Sequence, residues 1–177
     1  AIQNEDFCRI SGSATYTIPA TNMTSSPRNL ENSNALINDS EYHYDGVIAG
    51  KTGHTEAAKN TLVTAAARDG MTLVCVVLRS DGENRFIDTV SLFDYGFENF
   101  HLSPVYWLNS EEPAGYVVLP KGVESNVLTV KDSDSGDTRT RTYSYQGVDL
   151  YSAQISLPVS FEQDTLSSPP VFLEING

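Results

Sequence analysis

Asp69-Gly70 separates two runs of strand-forming residues, Thr61–Arg68 and Met71–Arg79. A type I′ turn needs positive φ at both central positions, and Asp-Gly supplies them at little cost. The two runs are therefore predicted to pair antiparallel, with Gly46–Gly53 as a third strand just before them. In Met71–Leu78 (MTLVCVVL) nearly every side chain on both faces is apolar, so the spacing predicts a central strand covered on both sides. Downstream, Phe86, Val90, Phe93 and Phe97 recur at helical intervals. They form the apolar stripe of a helix that lies on the sheet and ends near Phe100. An antiparallel sheet carrying a helix places the first part of the chain in the α+β class.

The flanking segments are less regular. Asn4–Ile10 reads as the tail end of a helix and Ala14–Pro19 as a short strand. Thr21–Tyr44 has the Asn, Ser and Asp content of a loop, around a short strand at Asn34–Ile37. Near Leu102–Pro104 the style changes to short alternating strands bounded by Gly, Pro, Asp or Ser. Candidates are Val105–Leu108, Gly115–Leu119, Asn126–Lys131, Arg139–Tyr145, Gln154–Leu157 and Val171–Ile175. The chain thus divides into residues 1–102 and a small all-β domain, 103–177. The segment Lys131–Asp137 (KDSDSGD) mimics the alternating acids of a calcium loop but lacks the glutamate at loop position 12, and reads as a solvated hairpin tip.

Charge and cysteine content narrow the function. Eleven Lys plus Arg stand against 23 Asp plus Glu, a formal charge of −12. That balance opposes phosphate contact, and no basic stripe interrupts it, so no nucleic-acid partner is expected. No run reaches the roughly 18 apolar residues of a membrane-spanning helix. Cys8 and Cys75 lie far apart without CxxC spacing, and both read as buried small hydrophobes.

One short segment carries chemistry. AGKTGHT, Ala49–Thr55, follows an apolar run and sets Lys51, Thr52 and Gly53 side by side on a strand. On a twisted strand bordering a cleft, an ammonium and a hydroxyl can converge on one anion, and a bare Gly lets a peptide lie alongside. That trio suits an extended peptide ending in a carboxylate. The plain alternative is a solvent-facing lysine at a strand end. His54 with His43 and Asp45 lacks metal-ligand spacing, so neither metal nor cofactor is expected. A Cys8/His54 dyad has no support in the spacing.

YDGVIAGKTGHT, the strand pair TLVTAAARDGMTLVCVVLRS and the helix ending SLFDYGFENF together resemble the last part of the catalytic domain of the D-alanyl-D-alanine carboxypeptidases. These are low-molecular-mass penicillin-binding proteins that trim peptidoglycan stem peptides. FCRISGSATYTIPATN and RNLENSNALI resemble what precedes KTG in that family. YVVLPKGV and YSYQGVDLYSA are similar to its β-rich C-terminal domain, so the resemblance covers nearly the whole chain. KTG belongs with Ser-x-x-Lys and a Ser-Asn motif in penicillin-binding proteins. Neither companion is present: no serine stands three residues before Lys51, Lys59, Lys121 or Lys131, and no Ser-x-Asn triplet occurs. In the family both precede KTG. The expectation is therefore the C-terminal portion of a longer β-lactamase/transpeptidase-like enzyme, inactive by itself.

The resemblance implies a division of labour. A serine outside these residues would attack the penultimate D-alanine carbonyl, release the terminal D-alanine and leave an acyl-enzyme for water to hydrolyse. Lys51 and Thr52 would grip the terminal carboxylate, with Gly53 beside them. The backbone N–H of His54 would be one oxyanion donor, a kind of contact whose loss costs about 10² to 10³ in rate. Thr55 would at most support them. The implied partners are the peptidoglycan pentapeptide and β-lactams, together with the absent half of the domain or a second copy of the chain over the apolar sheet face. The implied location is the cell envelope, on the outer face of the bacterial cytoplasmic membrane. The alternative is a non-catalytic cell-wall binding or interaction module with a vestigial KTG.

Overall fold

The computed structural model describes residues 1–107 and 110–157. Ten strands and two α-helices succeed one another along it. The short helix α1 (Glu5–Ser11) is complete in itself, not the end of a longer one. Asn4 caps it, its Oδ1 accepting from Phe7 N at 2.8 Å, and Glu5 and Asp6 occupy the first turn, where the helix dipole favours negative charge. Strands β1 (Thr15–Ile18) and β2 (Arg28–Glu31) pair antiparallel with each other. The short strand expected at Asn34–Ile37 does not form. Asn34 turns its side chain back to accept from Leu36 N at 3.2 Å, while Ile37 N bonds Asn34 O at 3.0 Å. A local Asx-type turn has won over extension there.

Strands β3 (Val47–Thr55), β4 (Lys59–Arg68) and β5 (Met71–Ser80) form an antiparallel sheet in the order β3-β4-β5. Asp69 and Gly70 have φ of 51° and 79°, the positive pair that the turn chemistry demands. Helix α2 (Asn84–Asn99) lies on one face and buries Phe86, Thr89, Phe93 and Gly96. Gly96 is needed for that approach, because a Cβ there would meet Leu73 Cδ1 at 2.5 Å. The core gathers Leu36, Tyr44, Leu62, Ala66, Cys75, Val77, Phe86 and Phe93. Tyr44 also donates its hydroxyl to Asp94 at 2.9 Å and carries the Arg68 guanidinium over its ring.

The expected position of Met71–Leu78 is corrected on two counts. Within the described sheet β4 is central and β5 lies at the edge. Only the face bearing Leu73, Cys75 and Val77 meets α2; on the other, Val74, Val76 and Leu78 are 54%, 54% and 69% exposed. One helix can cover one face, and alternation sends successive side chains to opposite faces. Cys8 is also less enclosed than expected: Cys75 is buried, Cys8 half-buried with Sγ 3.4 Å from Ile2 O.

Two compact units divide the chain, Ala1–Pro104 with Tyr116–Ser125, and Val105–Gly115 with the stretch from Asn126 on. Strands β6 (Phe100–Tyr106) and β7 (Pro113–Pro120) pair with each other, and both cross the division. Residues 116–125 therefore go with the first unit although the sequence reading places them in 103–177. In the second unit β8 (Thr129–Ser135), β9 (Thr138–Tyr145) and β10 (Val148–Ser156) form an antiparallel sheet, β9 central. Most of KDSDSGD is strand, not hairpin tip. Only Gly136 and Asp137 turn, while Asp132 and Asp134 each receive two 2.7 Å hydrogen bonds, from Arg141 and Arg139 respectively. Opposite charges facing one another across a ladder stabilise the extended form. Leu108 and the candidate strand Val171–Ile175 lie outside the described residues.

Candidate functional site

Strand β3 forms the other edge of the sheet, so alternate backbone N–H and C=O groups along it face away from β4. Its register with β4 sets Lys51 opposite Val63, Thr52 opposite Leu62, Gly53 opposite Thr61 and His54 opposite Asn60. Since Leu62 is in the core, Thr52 shares the α2 side of the sheet, and Lys51 points the other way with Val63. Lys51 is exposed, and its Nζ donates to Thr52 O at 2.7 Å. Among the described residues no carboxylate forms an ion pair with it. A groove of about 210 Å³ beside Lys51 is lined by Ala49, Val63 and Val74 of the sheet and by Ile2 and Phe7. A larger hollow of about 470 Å³, between α1, β1 and β2, contains none of the candidate residues.

Neighbouring side chains fix the strand from the α2 side. Thr52 Oγ1 lies 2.8 Å from Ser33 Oγ. Asn34 is buried, and its Nδ2 donates to Thr64 Oγ1 at 3.1 Å. The bare Cα of Gly50 makes room for Asn34, since a Cβ at position 50 would come within 2.4 Å of Nδ2. Gly53 is bare for a similar reason, with Thr61 Oγ1 2.5 Å from where its Cβ would stand. Beyond it, His54 Nδ1 lies 2.9 Å from Asn60 Oδ1, and Asn60 Nδ2 donates to Gly82 O at 3.1 Å. Ser33, Asn34 and Asn60 carry no site signal in the sequence beyond the turn-forming Asn-Ser-Asn run, residues 32–34, which marks the first two.

His43, the other histidine weighed as a metal ligand, behaves separately. His43 Nδ1 lies 3.0 Å from Asn38 O and Nε2 3.3 Å from Asp45 Oδ1, whereas His54 bonds Asn60. Among the described residues no three His, Cys, Asp or Glu side chains gather as a metal site. Cys8 Sγ contacts Ile2 O, so Cys8 and His54 each have a different partner.

Residues 7–82, which span α1, the Ser33–Asn34 loop and the whole β3-β4-β5 sheet, match the D-alanyl-D-alanine carboxypeptidase family of peptidases. The matched segment contains Lys51, Thr52, Gly53 and His54 together with Ser33, Asn34 and Asn60, the side chains that bond or pack against the strand. Two relatives agree. The D-alanyl-D-alanine carboxypeptidase DacB2 of Mycobacterium tuberculosis is 40% identical over 68 residues, 35% of this chain and 23% of the relative. A D-alanyl-D-alanine carboxypeptidase of Streptomyces sp. strain K15 is 34% identical over 101 residues, 55% of this chain and 33% of the relative. The chain therefore matches a third or less of the length of these carboxypeptidases. A peptidoglycan synthesis regulatory factor from Streptococcus pneumoniae has the same fold over 86% of this chain and 50% of its own, with a TM-score of 0.61 at 19% identity.

Proposed function

We propose that this chain supplies the substrate-binding edge of a serine-type D-Ala-D-Ala carboxypeptidase. The observation that carries the reading is Lys51, an exposed ammonium on an edge strand of the carboxypeptidase segment, next to a threonine hydroxyl already held by Ser33. The terminal carboxylate of a peptidoglycan pentapeptide, or that of a β-lactam, docks at the open edge of β3, where the Lys51 ammonium reaches it from one face of the strand and the Thr52 hydroxyl from the other. A charged acceptor outcompetes the neutral Thr52 carbonyl for the Lys51 ammonium. Gly53 keeps the strand surface low for the peptide, and the His54 backbone N–H donates to the developing oxyanion. The acylated serine belongs to the part of the relatives' length that this chain does not match. Val74, Val76 and Leu78 offer that part, or a second copy, an apolar face to pack on. Such a reaction places the protein outside the cytoplasm, in the cell envelope where peptidoglycan lies.

Labelled penicillin tests the reading. The 177 residues alone should retain no label through denaturation. In a polypeptide that also carries Ser-x-x-Lys and Ser-x-Asn, Lys51→Ala should slow acylation at least about tenfold, since a charged hydrogen bond is worth roughly 1.5–3 kcal/mol. Equal acylation rates would remove Lys51 from the carboxylate site and favour a non-catalytic wall-binding module.

A further inference from the structure

The proton positions around His54 follow from its neighbours. Gly82 O is a pure acceptor, and Asn60 Nδ2 lies 3.1 Å from it, so the NH₂ end of the amide must face that carbonyl. Arg85 Nη1 donates to the same oxygen at 3.0 Å, which fixes its acceptor role from a second side. Asn60 Oδ1 then faces His54 Nδ1 at 2.9 Å. An amide oxygen cannot donate, so Nδ1 must carry the hydrogen. In the neutral ring the lone pair is left on Nε2, although a free imidazole favours the opposite tautomer.

We infer that Asn60 is a positioning residue that locks His54 as the Nδ1–H tautomer, and that Nε2 of this exposed residue thereby becomes a hydrogen-bond acceptor for the N–H of the peptide bond joining the last two residues of a ligand lying along β3. His54 is exposed and sits on the open edge strand, two residues beyond Thr52 and three beyond Lys51. A chain anchored by its carboxylate at Lys51 and Thr52 runs past this point in extended form, and its backbone supplies N–H donors at strand spacing. The ligand half of the inference rests on the carboxylate site proposed above; the tautomer half does not. It also sets a chemical preference. The N–H that meets Nε2 is the one in the peptide bond joining the last two residues, so an ester at that single linkage presents a second acceptor there although the other amide is intact, and unpaired facing acceptors are costly.

Nitrogen-15 NMR of the labelled chain, at a pH well above the ordinary imidazole pKa of about 6.5, reads both halves. His54 should show a protonated Nδ1 and an unprotonated Nε2. Asn60→Ala should shift the ring toward the Nε2–H form. Asn60→Asp, whose carboxylate can only accept, should keep Nδ1–H and guards against reading a folding defect as a tautomer change. A wild-type ring protonated on Nε2 overturns the inference. Titration with N-acetyl-D-alanyl-D-alanine should move the Nε2 resonance, and the matching N-acetyl-D-alanyl-D-lactate should not. Shifts at Lys51 and Thr52 with Nε2 unmoved would overturn the acceptor role while leaving the carboxylate site standing. Shifts nowhere on β3 would overturn that site and the ligand half with it.

Discussion

The side chain of Asn34 occupies the space that a side chain at Gly50 would need: a methyl there would stand 2.4 Å from Asn34 Nδ2 and 3.0 Å from Thr64 Oγ1. The loop before the sheet is thereby keyed into the strand one residue ahead of Lys51. Neither partner can move without the other, because Asn34 is buried and its amide is spent on Thr64 and Leu36. Gly50→Ala should lower the stability of the first unit by about 1–3 kcal/mol, the usual cost of overpacking. Asn34→Ala should also destabilise it by breaking the buried hydrogen bond to Thr64, but the two losses should fall short of additive, since Asn34→Ala removes the side chain that the methyl of Gly50→Ala would strike. Urea denaturation of the two single variants and the double variant measures this; strict additivity would show that the strand shifts instead.

Ser33→Ala should leave the melting temperature nearly unchanged, because the Ser33–Thr52 contact is exposed. It should nevertheless free the Thr52 hydroxyl to rotate. In a polypeptide competent for penicillin acylation the rate should fall about 2- to 10-fold, the range of one neutral hydrogen bond. Ser33→Thr, which retains a hydroxyl, should recover most of it.

In the second unit the Arg141 and Arg139 hydrogen bonds hold the carboxyls of Asp132 and Asp134 below the usual aspartate range. The unfolded chain, with ordinary aspartates near about 3.9, then binds more protons than the folded one in acid. The stabilisation is complete above that value and fades as pH falls through the lowered folded pKa values. Trp107, the single tryptophan, sits 5.4 Å from the Arg141 guanidinium and reports on this sheet. Its fluorescence should show the urea midpoint falling with pH below about 4, and Asp132→Asn with Asp134→Asn should flatten that slope.

The two cysteines should react at different rates. Burial pushes the Cys75 thiol above its ordinary pKa, and the thiolate is the reactive form. Cys8 is only half-buried. A thiol-specific reagent near neutral pH should label Cys8 first and reach Cys75 only as the sheet and α2 separate, so mass spectrometry of a partly labelled sample should find the tag on Cys8.

Local chemistry made much of the fold legible. Asp69-Gly70 announced its turn because both residues must take positive φ, and Phe86, Phe93 and Phe97 announced α2 through their period. The lysine, threonine, glycine and histidine of the site could be read as a group because they are adjacent in the chain. What supports them could not: Ser33, Asn34 and Asn60 meet the site strand only after the chain has doubled back, and no periodicity marks such encounters. The edge position of β5 was hidden for a different reason. Apolar residues on both faces state that cover is suited to both, yet α2 can supply it to one. The acidic run 131–137 imitates a loop in the sequence because the arginines that draw Asp132 and Asp134 into a strand lie beyond the turn.

The site-bearing sheet is built from two successive hairpins, so its rungs can form one after another outward from each turn, beginning with Thr55–Lys59 and Arg68–Met71. Closing such short loops costs little entropy, and the ladder can zip outward from Asp69-Gly70 and from the turn after Thr55 without waiting for distant segments. The contacts that fix the Lys51 side of β3 are of another kind: Asn34 must find Thr64 thirty residues away, and Ser33 must find Thr52 across nineteen. The strand therefore exists before it is aligned. Its final setting is a late event, and Asn34→Ala should speed unfolding while leaving the refolding rate nearly untouched, whereas changes at Asp69-Gly70 should slow refolding.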